Sequence, residues 1–258
     1  MRKTVKVDIH DSHIVMITLD NQPANAFSLR LLDDLNQVLF DVEQSDCRVV
    51  IFRGSGQKVF CAGADLKERE KMTDEEAVAT VRKIKETITR IEQLSMPTIA
   101  SMNGVAFGGG LELALACDIR ISSEEIQMGL TETSLGIIPG AGGTQRLARL
   151  IGIGKAKYLI FTAKRLTGRE AKDIGIVEEV TTQEKLEDLT LQVARDIASN
   201  GPIGVKQAKK AIQDGIQADL ATGLKIEESC YMATIPTADR MEGLRAFKEK
   251  RKPQYKGE

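Results

Sequence analysis

Two glycine-rich segments, each accompanied by a glutamate, hold the residues of this sequence that are best suited to chemistry. Residues 103–112 contain three consecutive glycines at 108–110 and end in Glu112, and residues 132–145 begin with Glu132. Glycines expose backbone N–H groups and allow a ligand to approach the main chain closely. Two carboxylates brought together can divide acid and base duties. The segments predict an enzyme that polarises a carbonyl with backbone amides and moves protons with glutamates.

The three glycines precede an apolar run, residues 111–117, that predicts a buried helix. The first N–H groups of a helix lack intrahelical partners and lie at the positive end of its dipole. An oxygen that gains negative charge is stabilised there. The alternative is a tight strand-to-helix turn that needs small residues for packing. A dinucleotide or P-loop site is disfavoured, because the segment lacks the fingerprint spacing and a Gly-Lys-Ser/Thr.

The two glutamates differ in what their surroundings predict. Glu112 lies in the first turn of an apolar helix, where a buried carboxylate is costly unless it has a role or is neutralised. Favourable interaction with the helix dipole is the alternative explanation. Glu132 lies between two threonines, and the Gly/Pro-rich loop that follows could hold it at a cavity. Asp118, the competing buried acid, is expected to be structural, either capping the helix or pairing with an arginine.

A third segment, residues 60–65, contains Ala62, Gly63 and Ala64 and follows an apolar strand predicted at 49–52. Small residues permit close approach of a ligand to the backbone. The N–H of Ala64 is a candidate second donor to an oxyanion, and a plain surface turn is the alternative.

The elements that must position these segments alternate between short strands and helices over the first 180 or so residues, which predicts an α/β layered domain. A hairpin is expected over 5–19, helices over 28–42 and from Thr73 to Ile91, a loop over 54–65, and strands over 97–102 and 119–121. Thr73 with Glu76, and Thr181 with Glu184, have capping-box spacing. Four helices are then expected at about 184–199, 203–213, 217–233 and 237–250. We therefore divide the chain into an α/β core at 1–200 and a helical region at 201–258.

Composition excludes several classes of protein. Lys and Arg number 36 against 37 Asp and Glu, a formal net charge of −1 that does not support a dedicated nucleic-acid binder. No apolar run approaches the roughly 18 residues that span a bilayer. Residues 1–7 lead directly into a strand-like pattern without a leader, so a cytoplasmic location is expected.

Cysteine and histidine offer little material for catalysis or metal binding. The four cysteines, at 47, 61, 117 and 230, form no C-x-x-C pair and are expected to be small buried residues, without a structural zinc site. His10 and His13 flank a predicted turn, so a Ser-His-Asp or Cys-His mechanism is not expected.

Three segments resemble sequence blocks of the enoyl-CoA hydratase (crotonase) superfamily and occur along the chain in the order expected for that family. They are Phe60-Cys-Ala-Gly-Ala-Asp-Leu66, residues 97–121 and Ile138-Pro-Gly-Ala-Gly-Gly-Thr-Gln-Arg146. The resemblance covers essentially the whole chain. It implies a spiral of repeated ββα units with a helical C-terminal region, an acyl-CoA thioester as substrate, and neither metal nor redox cofactor.

The resemblance also implies residue roles. The thioester oxygen would lie between the backbone N–H groups of Ala64 and Gly109, and Glu112 and Glu132 would catalyse syn addition of water to a 2-enoyl-CoA as a hydro-lyase. Glu112 would deprotonate the water and Glu132 would protonate C2. Further residues are expected to contact CoA or substrate: Ala26, Ala62, Asp65, Leu66, Lys67, Gly108 and Lys248.

Within the superfamily, residues 128–133 and 234–251 most resemble methylglutaconyl-CoA hydratases, which act in leucine breakdown and whose mitochondrial form also binds AU-rich RNA. A short, branched, acid-bearing acyl chain is therefore one expectation. A homotrimer or a hexamer of two trimers is implied, with the C-terminal helices at the contacts. The rival activity is a delta-3,delta-2-enoyl-CoA isomerase at the same site. RNA binding is weakly supported, because no helix face carries a run of lysines.

Overall fold

Ten strands and eleven helices make up the elements of the chain in a computed structural model, which describes residues 3–258. Residues 1 and 2 of the strand-like stretch 1–7 lie outside the described residues. In chain order the strands are β1 (Val5–His10), β2 (Ile14–Leu19), β3 (Val49–Gly54), β4 (Val59–Cys61), β5 (Thr98–Met102), β6 (Val105–Phe107), β7 (Ile119–Ser123), β8 (Gln127–Gly129), β9 (Leu166–Thr167) and β10 (Glu179–Thr181). The helices are α1 (Leu29–Glu43), α2 (Leu66–Arg69), α3 (Asp74–Gln93), α4 (Gly109–Ala116), α5 (Gly143–Ile151), α6 (Ile153–Phe161), α7 (Gly168–Asp173), α8 (Leu186–Ala198), α9 (Pro202–Gly215), α10 (Leu220–Thr234) and α11 (Ala238–Glu249).

The strands form two sheets that the chain visits in turn. The larger sheet has the order β1-β2-β3-β5-β7-β10, with β1 antiparallel to β2 and the other pairs parallel. The smaller sheet has the order β4-β6-β8-β9 and is parallel apart from β9. Three successive units contribute one strand to each sheet and then a helix: β3 and β4, β5 and β6, and β7 and β8. The chain is thus a spiral of ββα units with a helical C-terminal region.

Alternate residues of the larger sheet face two different cores, as the two-residue period of a strand requires. Ile14, Met16 and Ile51 pack with residues of α8 on one face. On the other face, Ile17 and Phe52 enter the main core, to which α1, α3 and α4 also contribute. The cores hold the units of the spiral at fixed separations, so the loops at the strand ends are held in place.

Capping explains where the two long helices of the α/β region begin. The Ser28 hydroxyl accepts from the N–H of Leu31 at the start of α1. Thr73 and Glu76 form the predicted capping box at the start of α3. The predicted box of Thr181 with Glu184 is wrong, because Thr181 ends β10 and α8 begins only at Leu186.

The loop predicted over 54–65 is also wrong in part, because it contains β4. This strand has only three residues and is defined by its parallel pairing with β6. The four expected C-terminal helices are present as α8 to α11, with bounds that differ by a few residues. The division of the chain at residue 200 stays a prediction.

Candidate active site

Gly108 connects β6 to α4 in a conformation that suits glycine. Its φ is 51°, in the left-handed region that other residues avoid, and its N–H donates to the carbonyl of Gly129 at 2.9 Å. A Cβ at this position would lie 3.0 Å from Oε1 of Glu132. The glycine therefore allows the Glu132 carboxylate to approach the start of α4.

The loop at 60–65 lies directly against the start of α4. A Cβ on Gly63, where φ is 87°, would lie 2.9 Å from the nitrogen of Gly109, and a Cβ on Gly110 would lie 1.9 Å from the carbonyl oxygen of Cys61. Phe27 holds the loop from its other side, because its N–H donates to the carbonyl of Gly63 at 2.7 Å. These contacts require glycine and bring the main chain at Ala64 close to Gly109.

Ala64 and Gly109 both line the large cavity of the protein. Neither backbone N–H donates a hydrogen bond to any acceptor within residues 3–258. Two unpaired main-chain donors therefore lie at one cavity wall, and one of them belongs to the first turn of a helix. An oxygen that gains negative charge is stabilised by such donors.

Glu112 is buried, with 3% of its surface exposed, and its carboxylate is held by the loop that precedes α5. Oε1 accepts from the N–H groups of Ala141 and Gly143, each at 2.8 Å. Burial raises the pKa of Glu112, while these two hydrogen bonds and the charge of Arg146 act in the opposite direction. The Gly/Pro-rich loop was expected to hold Glu132, and the structure shows that it holds Glu112 instead.

Arg146 fixes the loop that holds Glu112. Its guanidinium makes a bidentate pair with Glu92, at 2.8 and 2.7 Å, and donates to the carbonyl of Ala141 at 2.8 Å. The residue acts on the site through the loop, as a positioning residue. Its place in the sequence four residues after Gly142 gave no signal of this contact.

Glu132 begins a short 3₁₀ turn, Glu132–Leu135, whose residues Glu132, Ser134 and Leu135 line the cavity. Its Oε2 is buried and has no hydrogen-bond partner among the described residues. The pKa of Glu132 is raised to about 7, chiefly by burial and to a smaller extent by the negative charge of Glu112. Thr133 fastens the turn, because its hydroxyl donates to the carbonyl of Ile160 at 2.6 Å.

The cavity that contains both acids has a volume of about 810 Å³. Apolar side chains from α3 and from the segment after Glu132 form much of its wall: Val81, Ile84, Leu135, Ile137 and Ile138. Its charged lining residues are Glu112, Glu132, Arg69 and Arg165. The arrangement offers two carboxylates and two amide donors to a largely apolar ligand.

The structure brings together only part of the residues expected to bind CoA or substrate. Ala62, Leu66 and Gly108 line the cavity with Ala64 and Gly109. Asp65 instead caps α2, accepting from the N–H groups of Lys67 and Glu68. Ala26 is buried beside Phe27 and does not line the cavity.

Two lysines expected to contact CoA lie outside the cavity lining of this single chain. Lys67 is exposed on α2, and Lys248 is exposed in the last turn of α11. Their contacts with CoA stay predictions.

The sequence gives little indication that two arginines, Arg69 and Arg165, line the cavity. Arg69 lies three residues after Leu66, so both residues occupy one face of α2, and this spacing is the one signal that could have indicated it. Arg165 has no such signal, since it reaches the cavity through the pairing of β9 with β8, and its guanidinium lies 4.8 Å from the ring centre of Phe107.

Asp118 is structural, as expected, but its partner is a lysine. Its Oδ2 accepts from Nζ of Lys209 at 2.7 Å and from the N–H of Thr98 at 2.7 Å. The expected arginine is absent from this contact because Lys209 reaches Asp118 from α9. All four cysteines are free and buried, as predicted.

A metal-binding cluster and a membrane-spanning helix are both absent from the described residues, 3–258. No group of three or more His, Cys, Asp or Glu side chains in this range could hold a metal ion. No helix in the same range has the length and apolarity needed to cross a membrane.

Comparison with known proteins gives consistent results. A family model described as enoyl-CoA hydratase/isomerase matches residues 10–258. A putative enoyl-CoA hydratase/isomerase of Bacillus subtilis is 51% identical over 259 residues, which cover 100% of both chains. The mitochondrial methylglutaconyl-CoA hydratase of Homo sapiens is 51% identical over 240 residues, which cover 91% of this chain and 70% of that protein. The solved structure of an enoyl-CoA hydratase from Bacillus anthracis, 52% identical, matches with a TM-score of 0.97 over 99% of this chain and 100% of that one, which confirms the predicted fold class.

Proposed function

Because the chain belongs to the enoyl-CoA hydratase/isomerase family, we propose that it adds water syn across the 2,3 double bond of a 2-enoyl-CoA thioester. The observation that carries this proposal is the presence of Glu112 and Glu132 in one cavity with the unpaired amides of Ala64 and Gly109. An isomerase needs to move a proton, whereas hydration needs an acid and a base around one water. Two carboxylates in different environments suit the second task.

The amides of Ala64 and Gly109 bind the thioester oxygen in this proposal. When the water oxygen bonds to C3, the electron pair of the double bond moves toward the thioester and gives an enolate oxygen. The two N–H groups stabilise that charge, and removal of one such donor typically costs roughly 3 kcal/mol of transition-state stabilisation.

The two glutamates divide the proton transfers. Glu112 takes a proton from the attacking water, because its Oε1 is fixed by two amides and its burial makes the carboxylate a stronger base. Glu132, with a pKa of about 7, carries a proton near neutral pH and gives it to C2. Water thus supplies the hydroxyl at C3, and proton exchange with solvent returns both carboxyl groups to their starting states.

The acyl group that we propose is 3-methylglutaconyl, supported by the 51% identity to the human enzyme of that name. The supporting observation within this chain is the presence of two cationic side chains, Arg69 and Arg165, among the lining residues of the cavity, which suits an acid-bearing acyl chain. Secondary RNA binding, the trimeric or hexameric state and the absence of a cofactor stay predictions.

The test is a steady-state assay of double-bond loss with crotonyl-CoA and 3-methylglutaconyl-CoA. Glu112→Gln and Glu132→Gln should each lower kcat by about 10²- to 10⁴-fold, the usual contribution of general acid–base catalysis, with CoA affinity retained. Glu86→Gln is the matched control, because Glu86 is an exposed acid on α3 outside the cavity. A Glu132→Gln variant with full activity would overturn the two-carboxylate mechanism. Migration of the double bond without hydration, by the unmodified enzyme, would assign an isomerase instead.

A further inference from the structure

Two arginines line the cavity, and they differ in how their charge is satisfied. Arg165 is exposed, and its guanidinium lies over the ring of Phe107. Arg69 is only half-exposed, and its side chain makes no ion pair and no hydrogen bond with any residue from 3 to 258. A partly buried guanidinium without an acceptor is costly, because burial removes water and nothing replaces it. Arg69 is therefore a cation that lacks a partner among residues 3–258.

Arg69 lies at the cavity wall to which α3 contributes. It is the last residue of α2, and it lines both the large cavity and a smaller adjoining cavity together with Val81 and Ile84 of α3. Val81 also packs against the loop that holds Glu112, since a Cβ on Gly140 would lie 2.8 Å from its Cγ1. In the large cavity, which also contains Glu112 and Glu132, Arg69 is the charged residue beside Val81 and Ile84, whereas Asp65 and Glu68 line only the smaller cavity.

The charge of Arg69 reaches Glu132, one of the two proposed catalytic acids. Its positive charge lowers the pKa of Glu132, opposing the larger effect of burial. The guanidinium is therefore near enough to sense a charge within the cavity. An anionic group on a ligand at this wall would interact with Arg69 in a largely apolar setting, where charge-assisted hydrogen bonds are strong.

We propose that Arg69 binds a carboxylate at the far end of the acyl chain and makes the enzyme selective for enoyl-CoA thioesters that bear one; this inference rests on the proposed hydration at the same cavity. A guanidinium can bind a carboxylate through two parallel N–H···O hydrogen bonds, which fixes both its position and its orientation. An uncharged chain of similar length offers Arg69 no acceptor, so its guanidinium gains no hydrogen bond when such a substrate binds. The selectivity thus arises from one charged contact added to an apolar binding wall.

Two other roles of Arg69 make different predictions. If Arg69 serves only to tune the pKa of Glu132, its loss affects every enoyl-CoA equally. If it binds a phosphate of CoA, which all substrates share, its loss again affects them equally. The ratio of kcat/KM for a charged substrate to kcat/KM for an uncharged one cancels both effects and isolates contact with the acyl carboxylate.

The experiment compares glutaconyl-CoA, which has a terminal carboxylate, with 2-hexenoyl-CoA, which has an uncharged chain of similar length. Arg69→Gln should lower the ratio of kcat/KM for glutaconyl-CoA to that for 2-hexenoyl-CoA by about tenfold or more, as expected for loss of a charge-assisted hydrogen bond. Arg69→Lys should recover part of the ratio, because it keeps the charge and loses the planar fork. Arg82→Gln is the matched control, an exposed arginine on the neighbouring helix α3 that does not line the cavity, and it should leave the ratio unchanged.

Each outcome decides the inference. An unchanged ratio in Arg69→Gln overturns it, even when both substrates are hydrated and the proposed function stands. If the kcat/KM ratio falls in Arg165→Gln but not in Arg69→Gln, the inference is also overturned, and the carboxylate contact is assigned to Arg165. If the unmodified enzyme hydrates none of crotonyl-CoA, 3-methylglutaconyl-CoA, glutaconyl-CoA and 2-hexenoyl-CoA, the proposed function is overturned, and the inference with it. If Arg69→Gln does not fold, Arg69→Lys and an Arg69→Met variant carry the same comparison.

Discussion

Glu112 and Glu132 are the same residue type in two different environments. Oε1 of Glu112 receives two amide hydrogen bonds, whereas Oε2 of Glu132 is buried without a partner among the described residues. Hydrogen bonds to the charged form lower a carboxyl pKa, and burial and a neighbouring negative charge raise it. The amides from the loop before α5 therefore favour a charged Glu112, and the charge of Glu112 helps to keep the proton on Glu132. Groups whose environments move their pKa values apart are suited to act as base and acid.

The first prediction concerns the pH dependence of hydration. If Glu132 donates the proton to C2, only its protonated form is active, so kcat/KM for hydration should fall as the pH rises through about 7, where its carboxyl group titrates. For dehydration of the 3-hydroxyacyl-CoA, the same group must accept a proton, and kcat/KM should rise through this range. The measurement is kcat/KM in both directions across roughly pH 5 to 9.

Glu132→Gln provides the control for this pH dependence. Its residual activity should lose the step near neutral pH, because glutamine does not titrate. A hydration rate that increases through pH 7 in the unmodified enzyme would contradict the assignment of Glu132 as the acid.

At the scale of elements, the site depends on close contact between α4 and the strand β4. Gly110 of α4 lies against the carbonyl of Cys61, the last residue of β4, at a distance that excludes any side chain. Ala64 lies three residues after that carbonyl, and Gly109 lies one residue before Gly110. The spacing of the two proposed oxyanion donors is therefore set by the packing of a helix on a strand.

The second prediction tests this packing with Gly110→Ala. A Cβ there would lie 1.9 Å from the carbonyl oxygen of Cys61, so α4 must move away from β4. Overpacking of this kind typically costs about 1–3 kcal/mol of stability. The amides of Ala64 and Gly109 should separate, and kcat for hydration should fall by more than tenfold, or about 1.4 kcal/mol of transition-state stabilisation. Urea unfolding and steady-state kinetics measure the two effects.

Gly204→Ala is the matched glycine control. Gly204 lies in α9, and a Cβ there would meet no atom within 4 Å. Alanine is favoured over glycine within helices by up to about 1 kcal/mol, so this variant should be as stable as the parent or more so, with full activity. A Gly110→Ala protein with parental kcat would show that the contact of α4 with β4 does not set the donor spacing.

At the scale of the whole molecule, a largely buried ion pair connects the helical C-terminal region to the α/β core. Nζ of Lys209, on α9, donates to Oδ2 of Asp118 at 2.7 Å and to the carbonyl of Met96 at 3.0 Å. Asp118 in turn accepts from Thr98 at the start of β5. One lysine thus joins α9 to the junction of α4, β5 and β7.

The third prediction is that Lys209→Met destabilises the protein by up to about 3–5 kcal/mol, because removal of one partner leaves the Asp118 carboxylate, only 23% exposed, without its counter-charge. Lys210→Met is the control, since Lys210 makes an exposed pair with Asp214 one helical turn away, a class of pair that contributes at most about 1 kcal/mol. Urea unfolding of both variants gives the two free energies. Equal, small losses would show that the buried pair does not hold α9 to the core.

The surface of the last three helices carries many exposed apolar side chains. Nine of them are large: Ile212, Ile216, Leu220, Leu224, Tyr231, Met232, Met241, Leu244 and Phe247. Exposed apolar surface of this extent is typical of a protein–protein interface.

The fourth prediction is that the protein forms a trimer or a hexamer that covers these side chains. Sedimentation velocity at micromolar concentration should therefore give a mass about three or six times that of one chain. A monomer under those conditions would contradict the expected assembly.

The sequence by itself determined the elements whose information is local. Ser28 and Thr73 mark the starts of α1 and α3 through caps that each span three residues, and the apolar periodicity of both helices is visible without a structure. The glycines and glutamates of the site were identifiable for the same reason, since their types and neighbours indicate chemistry before their positions are known. The short strands β4, β6, β8, β9 and β10 were missed, because segments of two or three residues show no periodicity and exist only through pairing.

Only the tertiary structure decided which distant segments meet. The loop before α5 binds Glu112 and not Glu132, because α4 brings the Glu112 carboxylate beneath its amides. Lys209 reaches Asp118 across 91 residues of chain, and Arg69 comes to line the cavity with α3. Such contacts depend on how sheets and helices pack around two cores, and no local pattern records the distance between segments far apart in the chain. Residue types therefore indicated the chemistry, and packing selected the partners of each charged group.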